Sequence, residues 1–179
     1  MKVFNLTMLI LGLLLFNADC CKSDNGFDKL PPATQIGNNT FGCLVNGKVW
    51  RNEGIGVSPA GNLWQTVGRN LFEITAVKSI SNSVYQSIFI EIKLPIVAGK
   101  YNISKDVSAG FADAHANCCY RTDSISSSGI IEITKFDTVN FIISGIFNFN
   151  VKKYNIMGCN GNCDSIVNVT EGRFDIKYE

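Results

Sequence analysis

Phe41-Gly42-Cys43-Leu44-Val45-Asn46-Gly47-Lys48-Val49-Trp50 reads as two short strands around an Asn-Gly pair, the strongest short hairpin signal because both turn residues tolerate positive φ. From this hairpin onward the apolar residues recur with period two, the mark of strands with one face buried and one wet. Phe72, Ile74 and Ala76 alternate with Glu73 and Thr75, and Ile88, Ile90, Ile92 and Leu94 alternate with Phe89, Glu91 and Lys93 up to Pro95. Phe141, Ile143, Gly145, Phe147, Phe149 and Val151 line one face of a long strand whose other face carries Ser144, Asn148 and Asn150. Phe174, Ile176 and Tyr178 oppose Arg173, Asp175 and Lys177 at the carboxyl end, and weaker runs fall at 63–67, 101–103, 130–134 and 166–169. The sum predicts an all-β domain over 40–179 with about eight to ten antiparallel strands, a β-sandwich or flattened barrel. One stretch, Val107 to Asn117, is rich in alanine and reads either as a helix or as a long loop. Gly42 and Gly145, inside strand patterns, predict bulges or close approach of neighbouring chain.

Ahead of this domain the chain opens with Lys2, an apolar run from Val3 to Phe16, and then Asn17-Ala18-Asp19-Cys20-Cys21-Lys22. The apolar run is too short to span a bilayer stably and has the charge order of a secretory signal. Ending on cysteine, residues 1–20 read as a lipoprotein signal peptide, with attachment to the membrane through lipid. The peptidase pocket accepts small uncharged residues before the cut, which favours Cys21, preceded by Cys20, over Cys20, preceded by Asp19. Cleavage elsewhere would instead release a soluble secreted protein. Residues 21–39, with Gly26, Pro31, Pro32, Gly37 and Asn38-Asn39 but no alternation, read as a flexible tether.

The formal net charge of the whole chain is +1, and no run of like charge occurs. Neither a nucleic acid nor an anionic surface is an expected partner. The remaining cysteines are Cys43, the adjacent Cys118 and Cys119, and Cys159 and Cys163. An oxidising envelope favours disulfides. The short Gly-containing Cys159–Cys163 loop can close on itself, and the vicinal pair would then look elsewhere. Cys43 is either the partner of one of them or a small core residue. His115-x-x-Cys118-Cys119 with Cys159-x-x-x-Cys163 is a competing zinc reading, weakened by adjacent ligands and irregular spacing. No metal or other cofactor is expected.

Catalytic signals are sparse. His115 is the sole histidine, so a Cys118/His115 pair is the one nucleophile and base on offer. Glu73, Glu91, Asp113, Asp123, Glu132 and Asp137 provide carboxylates without a spacing that singles out a pair. No phosphate loop, dinucleotide fingerprint or nucleophile elbow occurs, and no catalytic residue is assigned. Trp50, Trp64, Tyr85 and Tyr120 are either core or a sugar-stacking surface.

The stretch Leu30-Pro31-Pro32-Ala33-Thr34-Gln35 followed by Asn39 to Trp50 resembles the opening of a family of uncharacterised envelope lipoproteins of the Bacteroidota. Gly129 to Thr134, Ile143 to Phe149 and Thr170 to Asp175 are similar to that family's carboxyl-terminal strands. The resemblance implies a β-rich domain without established catalytic residues, and Cys21-Lys22-Ser23-Asp24 resembles, with one acid, a surface-export signal. It also gives meaning to Asp123-Ser124-Ile125, Asp137-Thr138-Val139 and Asp164-Ser165-Ile166, which resemble acceptors for O-linked glycans at Ser124, Thr138 and Ser165. The expectation is a lipid-anchored, non-enzymatic module of the cell envelope, at the outer membrane, binding a protein or carbohydrate or serving as structure. Its rivals are a carrier with an apolar cavity and a hydrolase of envelope or host polymers.

Overall fold

The computed structural model describes residues 29–52, 63–68, 70–81, 84–103, 105–122, 127–154 and 158–178. The expected leader, Cys20, Cys21 and Ser124 lie outside them. The described chain is all β, in eleven strands: β1 (Thr40–Val45), β2 (Lys48–Arg51), β3 (Leu63–Gly68), β4 (Leu71–Ser81), β5 (Val84–Lys93), β6 (Gly99–Asn102), β7 (Val107–Asp113), β8 (Cys118–Arg121), β9 (Gly129–Asp137), β10 (Ile142–Lys153) and β11 (Ile166–Lys177).

The opening hairpin forms as read. Val45 pairs with Lys48 across a two-residue loop, and Asn46 and Gly47 hold φ of 48° and 77°, the left-handed pair that such a turn requires. All strands pair antiparallel in the order β2-β1-β11-β10-β8-β7-β5-β4-β3. The branch point is β10. Its first part, Ile142 to Phe149, pairs with β9, and its last two residues, Lys152 and Lys153, pair with β8. One long strand thus serves two neighbours in succession, and the sheet curls over itself. The half built on β1, β11, β10 and β9 faces the half built on β4, β5 and β7. Phe41, Phe147, Phe174, Ile131 and Ile143 from the first and Phe72, Ile74, Ile88, Ile90 and Ile92 from the second form one buried core. Each such side chain contributes roughly 1.5–3 kcal/mol on leaving water.

Three departures from the sequence reading have physical causes. Val107–Asp113 is strand, not helix or loop: β5 and β8 supply hydrogen-bond partners on both sides, and this outweighs the small helix preference of alanine. The runs at 166–169 and 174–178 belong to one strand, because β11 carries an extra residue. Register against both β1 and β10 slips there, and Glu171 sits at φ 51°. The bulge switches the inward positions from Val167 and Val169 to Phe174 and Ile176. Phe141 is not on the strand face. It occupies a left-handed turn (φ 56°), stays half exposed, and meets Tyr178 edge-on.

Both strand glycines mark close approach together with a register shift. A Cβ on Gly145 would lie 2.6 Å from the Glu132 carbonyl and from the Phe174 ring, and one on Gly42 would lie 2.5 Å from Pro31 Cδ. The second contact corrects the expected tether. From Lys29 onward the segment lies on the outer face of β1 and β11 and is tied there by the buried carboxylate of Asp175. That carboxylate accepts hydrogen bonds from Thr34 Oγ1 (2.6 Å), Ile36 N (3.1 Å), Gly37 N (2.8 Å), Asn38 N (3.2 Å) and Ser144 Oγ (2.8 Å). Burial alone would raise the Asp175 pKa, but these donors outweigh it and hold it below the ordinary carboxylate value. Residues without alternation can still be fixed when one buried acid collects their amides.

Candidate functional site

At the end of the core remote from Tyr178, the two halves of the curled sheet part and leave a mouth of about 360 Å³. In β5, Gln86 has the parity of Ile88, Ile90 and Ile92; in β7, Asp113 has the parity of Ala109 and Phe111. Strand geometry therefore turns both polar side chains toward the interior just where the apolar rows stop. They form a relay: Trp50 Nε1 donates to Gln86 Oε1 (3.1 Å), and Gln86 Nε2 donates to Asp113 Oδ2 (2.7 Å). The other Asp113 oxygen accepts from His115 N and Ala116 N at 3.0 and 3.1 Å, capping the turn into β8. Val45, Lys48 and Val167 line the opposite wall.

The rim of the mouth is stapled. Cys118 bonds Cys163 and Cys119 bonds Cys159, with Cα separations of 6.2 and 5.4 Å, within the usual range for disulfides. The expected closure of Cys159 onto Cys163 is thus corrected. Adjacent residues of a strand point to opposite faces, so Cys118, which is buried, and Cys119, which is less so, each take one cysteine of a loop laid across β8. Gly161 N donates to Asn117 O (2.9 Å), Tyr154 N to Cys119 O (2.7 Å) and Lys153 Nζ to Gly161 O (2.7 Å). A Cβ on Gly161 would collide with the Ala116 carbonyl, so the loop can dock this closely only with glycine there. Cys43 joins no bond. It is a core residue, and burial pushes its thiol pKa far up.

Tyr120 is the unusual member of the mouth. It is 6% exposed, its ring lies 6.0 Å from that of Phe111, and among the described residues its hydroxyl has no hydrogen-bond partner. Burial, and then the negative charges of Asp164 and Asp113, raise its pKa, so the phenol keeps its proton. Asp164, on the docked loop, is exposed and completes the rim.

A second, larger concavity of about 570 Å³ lies on the outer face of β9, β10 and β11, beside the bulge at Glu171. Its floor carries the half-exposed Ile130 and Ile146. Its charges neutralise one another in pairs, Lys100 with Glu132 at 3.8 Å and Arg173 with Glu171 at 3.9 Å. The mouth, with converging polar groups and a Tyr120 hydroxyl that has no hydrogen-bond partner among the described residues, is the better candidate site.

The other sequence candidates are dispersed. His115 is exposed on the turn, and Cys118 is committed to a disulfide, so the pair offers no thiolate nucleophile. The same bonds remove the thiolates from the zinc reading, and among the described residues no three of His, Cys, Asp or Glu gather as a metal site. Glu73 and Glu91 face each other across β4 and β5, but one accepts from Thr75 Oγ1 (2.7 Å) and the other pairs with Arg121 (3.1 Å). Asp137 caps its own turn; the Asn140 side chain and the Asn140 and Val139 amides lower its pKa to about 2. Trp50 and Tyr120 are buried while Tyr85 is exposed, so these three form no common stacking surface. Asp123 and the Trp64 side chain lie outside the described residues.

Gln86 is not singled out by the sequence reading, and Lys48 enters there only as part of the opening hairpin. The available signal was a polar residue on the inward parity of a strand end, seen at Gln86 and Asp113. Compared with known proteins, the chain matches no family model, no curated protein and no solved structure.

Proposed function

We propose that this protein is a lipid-anchored lipoprotein of the cell envelope, at the outer membrane and akin to those of the Bacteroidota, whose β domain is a non-enzymatic binding module. The observation that carries the binding role is the mouth: polar side chains at inward strand positions, a rigid disulfide-held rim, and the unpaired Tyr120 hydroxyl. Preformed concave sites with a few converging polar groups on apolar walls are where small ligands bind, and barrel mouths are a common location. The large side chains that fill the core, Phe41, Phe147 and Phe174 among them, favour a ligand held at the mouth over one carried inside.

A library of small polar fragments, screened by amide chemical-shift mapping on the β domain, tests the binding role. Shifts concentrated on Lys48, Gln86, Asp113 and Tyr120 are expected. Shifts concentrated instead in the outer concavity beside Glu171, or scattered, would remove the mouth from consideration.

The anchor rests on the leader pattern ending in Cys20-Cys21 and on the sequence resemblance. Its test is the intact mass of protein extracted from its native membrane, before and after reduction and alkylation. The expected mass is the chain from Cys21 plus acyl groups, with four thiols protected until reduction. A bare mass would mean a secreted soluble protein instead. Thr138, at the tip of the β9–β10 turn, and Ser165, just before β11, are both exposed, as acceptors of O-linked glycan must be, and a heterogeneous sugar increment in the same spectrum would mark their use.

A further inference from the structure

Resting on the mouth as a binding site, the geometry points to a small molecule bearing a primary ammonium group, held between Asp113 and Asp164 and against the Tyr120 oxygen. The inference stands on three acceptors that converge on the mouth. Asp113 is fixed by the relay from Trp50 through Gln86 and by the turn amides of His115 and Ala116, so its carboxylate cannot swing away to meet solvent. Asp164 makes no hydrogen bond among the described residues, and it is carried by a loop that the two disulfides and Gly161 hold in place. Tyr120 is nine-tenths buried with its oxygen unpaired.

An ammonium has three N–H donors and no acceptor, which matches two carboxylates and a phenol oxygen and fits no neutral group as well. The Phe111 and Tyr120 rings in the wall add attraction for a cation. The chain's own cation at the mouth, Lys48, is exposed on the opposite wall and forms no ion pair with either acid. It acts as a competitor at the rim and limits affinity for a second positive charge. A volume of about 360 Å³ is at the small end of ligand sites, which restricts the occupant to a single compact amine.

The probe is benzylammonium, with benzyl alcohol as its neutral counterpart of the same shape, each titrated into the full β domain and followed by amide shifts. The amine is expected to bind at least about tenfold tighter than the alcohol, since a charge-assisted bond is about twice as strong as a neutral one. Asp164→Asn, a change on an exposed residue without hydrogen bonds among the described residues, should weaken the amine about tenfold and the alcohol by much less. Tyr120→Phe, which keeps the ring contact with Phe111, should cost the amine about fivefold, the scale of one net hydrogen bond. Lys48→Gln should tighten amine binding.

Equal binding of amine and alcohol at the mouth would overturn the ammonium assignment while leaving the mouth as a binding site. Tight amine binding that is indifferent to Asp164 and Tyr120 would overturn it as well. Absence of any shift at the mouth from either probe, with fragments binding elsewhere, would overturn both the assignment and the mouth.

Discussion

Loss of both disulfides, with Cys118, Cys119, Cys159 and Cys163 all changed to alanine, lowers unfolding stability by about 6 kcal/mol, whereas loss of either pair alone costs only about 2 kcal/mol. The asymmetry follows from topology. Each bond by itself closes a long loop, with sequence separations of 45 and 40 residues, and in the chain-entropy picture such a loop contributes about 4 kcal/mol. Because Cys118 and Cys119 are neighbours, once one bond exists the other closes a ring of only a few residues and adds about 2 kcal/mol. The two are therefore strongly non-additive. Urea unfolding of the oxidised protein, the two double-alanine variants and the quadruple variant measures this directly, and the quadruple variant should melt on the order of 10–20 °C lower. Losses that simply add, with the quadruple variant losing the sum of the two pairs, would mean that the bonds act through the folded rim and not by constraining the unfolded chain.

Asp175→Ala is the second large effect, expected at about 3–5 kcal/mol: a hydrogen bond to a charged acceptor contributes about 1.5–3 kcal/mol, and the sum over the bonds it accepts is reduced because the freed segment can meet water. Five donors lose their acceptor at once: Thr34 Oγ1, Ser144 Oγ and the amides of Ile36, Gly37 and Asn38. Segment 29–39 would then leave the outer face of β1 and β11, which hydrogen exchange at the amides of Ile36 to Asn38 reports separately from global stability. Thr34→Ala, which removes one donor and not the acceptor, should cost only about 1 kcal/mol. The network also sets an acid limit. The folded pKa of Asp175 lies below its unfolded value, so its contribution is complete above an unfolded pKa of about 3.9 and is lost as pH falls through the lower folded value. In Asp175→Asn this part of the acid dependence disappears. Retention of the full acid slope in that variant would assign it to other carboxylates.

What the sequence revealed and what it concealed divide along physical lines. Strands with large apolar residues on one parity, such as Phe72 to Ala76 and Ile88 to Ile92, are legible because the period belongs to the chain itself. β7 is hidden because Ala109 and Ala112 lean toward helix, and the pairing offered by its neighbours β5 and β8 overrides that lean. The unity of β11 was hidden because a single residue, Glu171 at φ 51°, resets the parity. The disulfide partners were illegible for a similar reason: spacing reports what a loop can do alone, whereas the pairing depends on β8 lying beside the β10–β11 connection. Asp175 looked like a solvent-facing residue between Phe174 and Ile176. It faces outward as alternation requires, but the segment it binds buries it.

Cys43 has a consequence for the life of the molecule outside its folded state. While the domain is intact its thiol is wholly enclosed, and burial keeps it protonated, hence inert. Once the chain opens, that thiol returns to an ordinary acidity of about 8.5 and becomes an internal nucleophile for thiol–disulfide exchange with four oxidised sulfurs. Each excursion to the open state in an oxidising space is thus a chance to trap wrong linkages. Survival of the protein is set by how rarely its core lets Cys43 out, a matter of barrier height as much as of equilibrium.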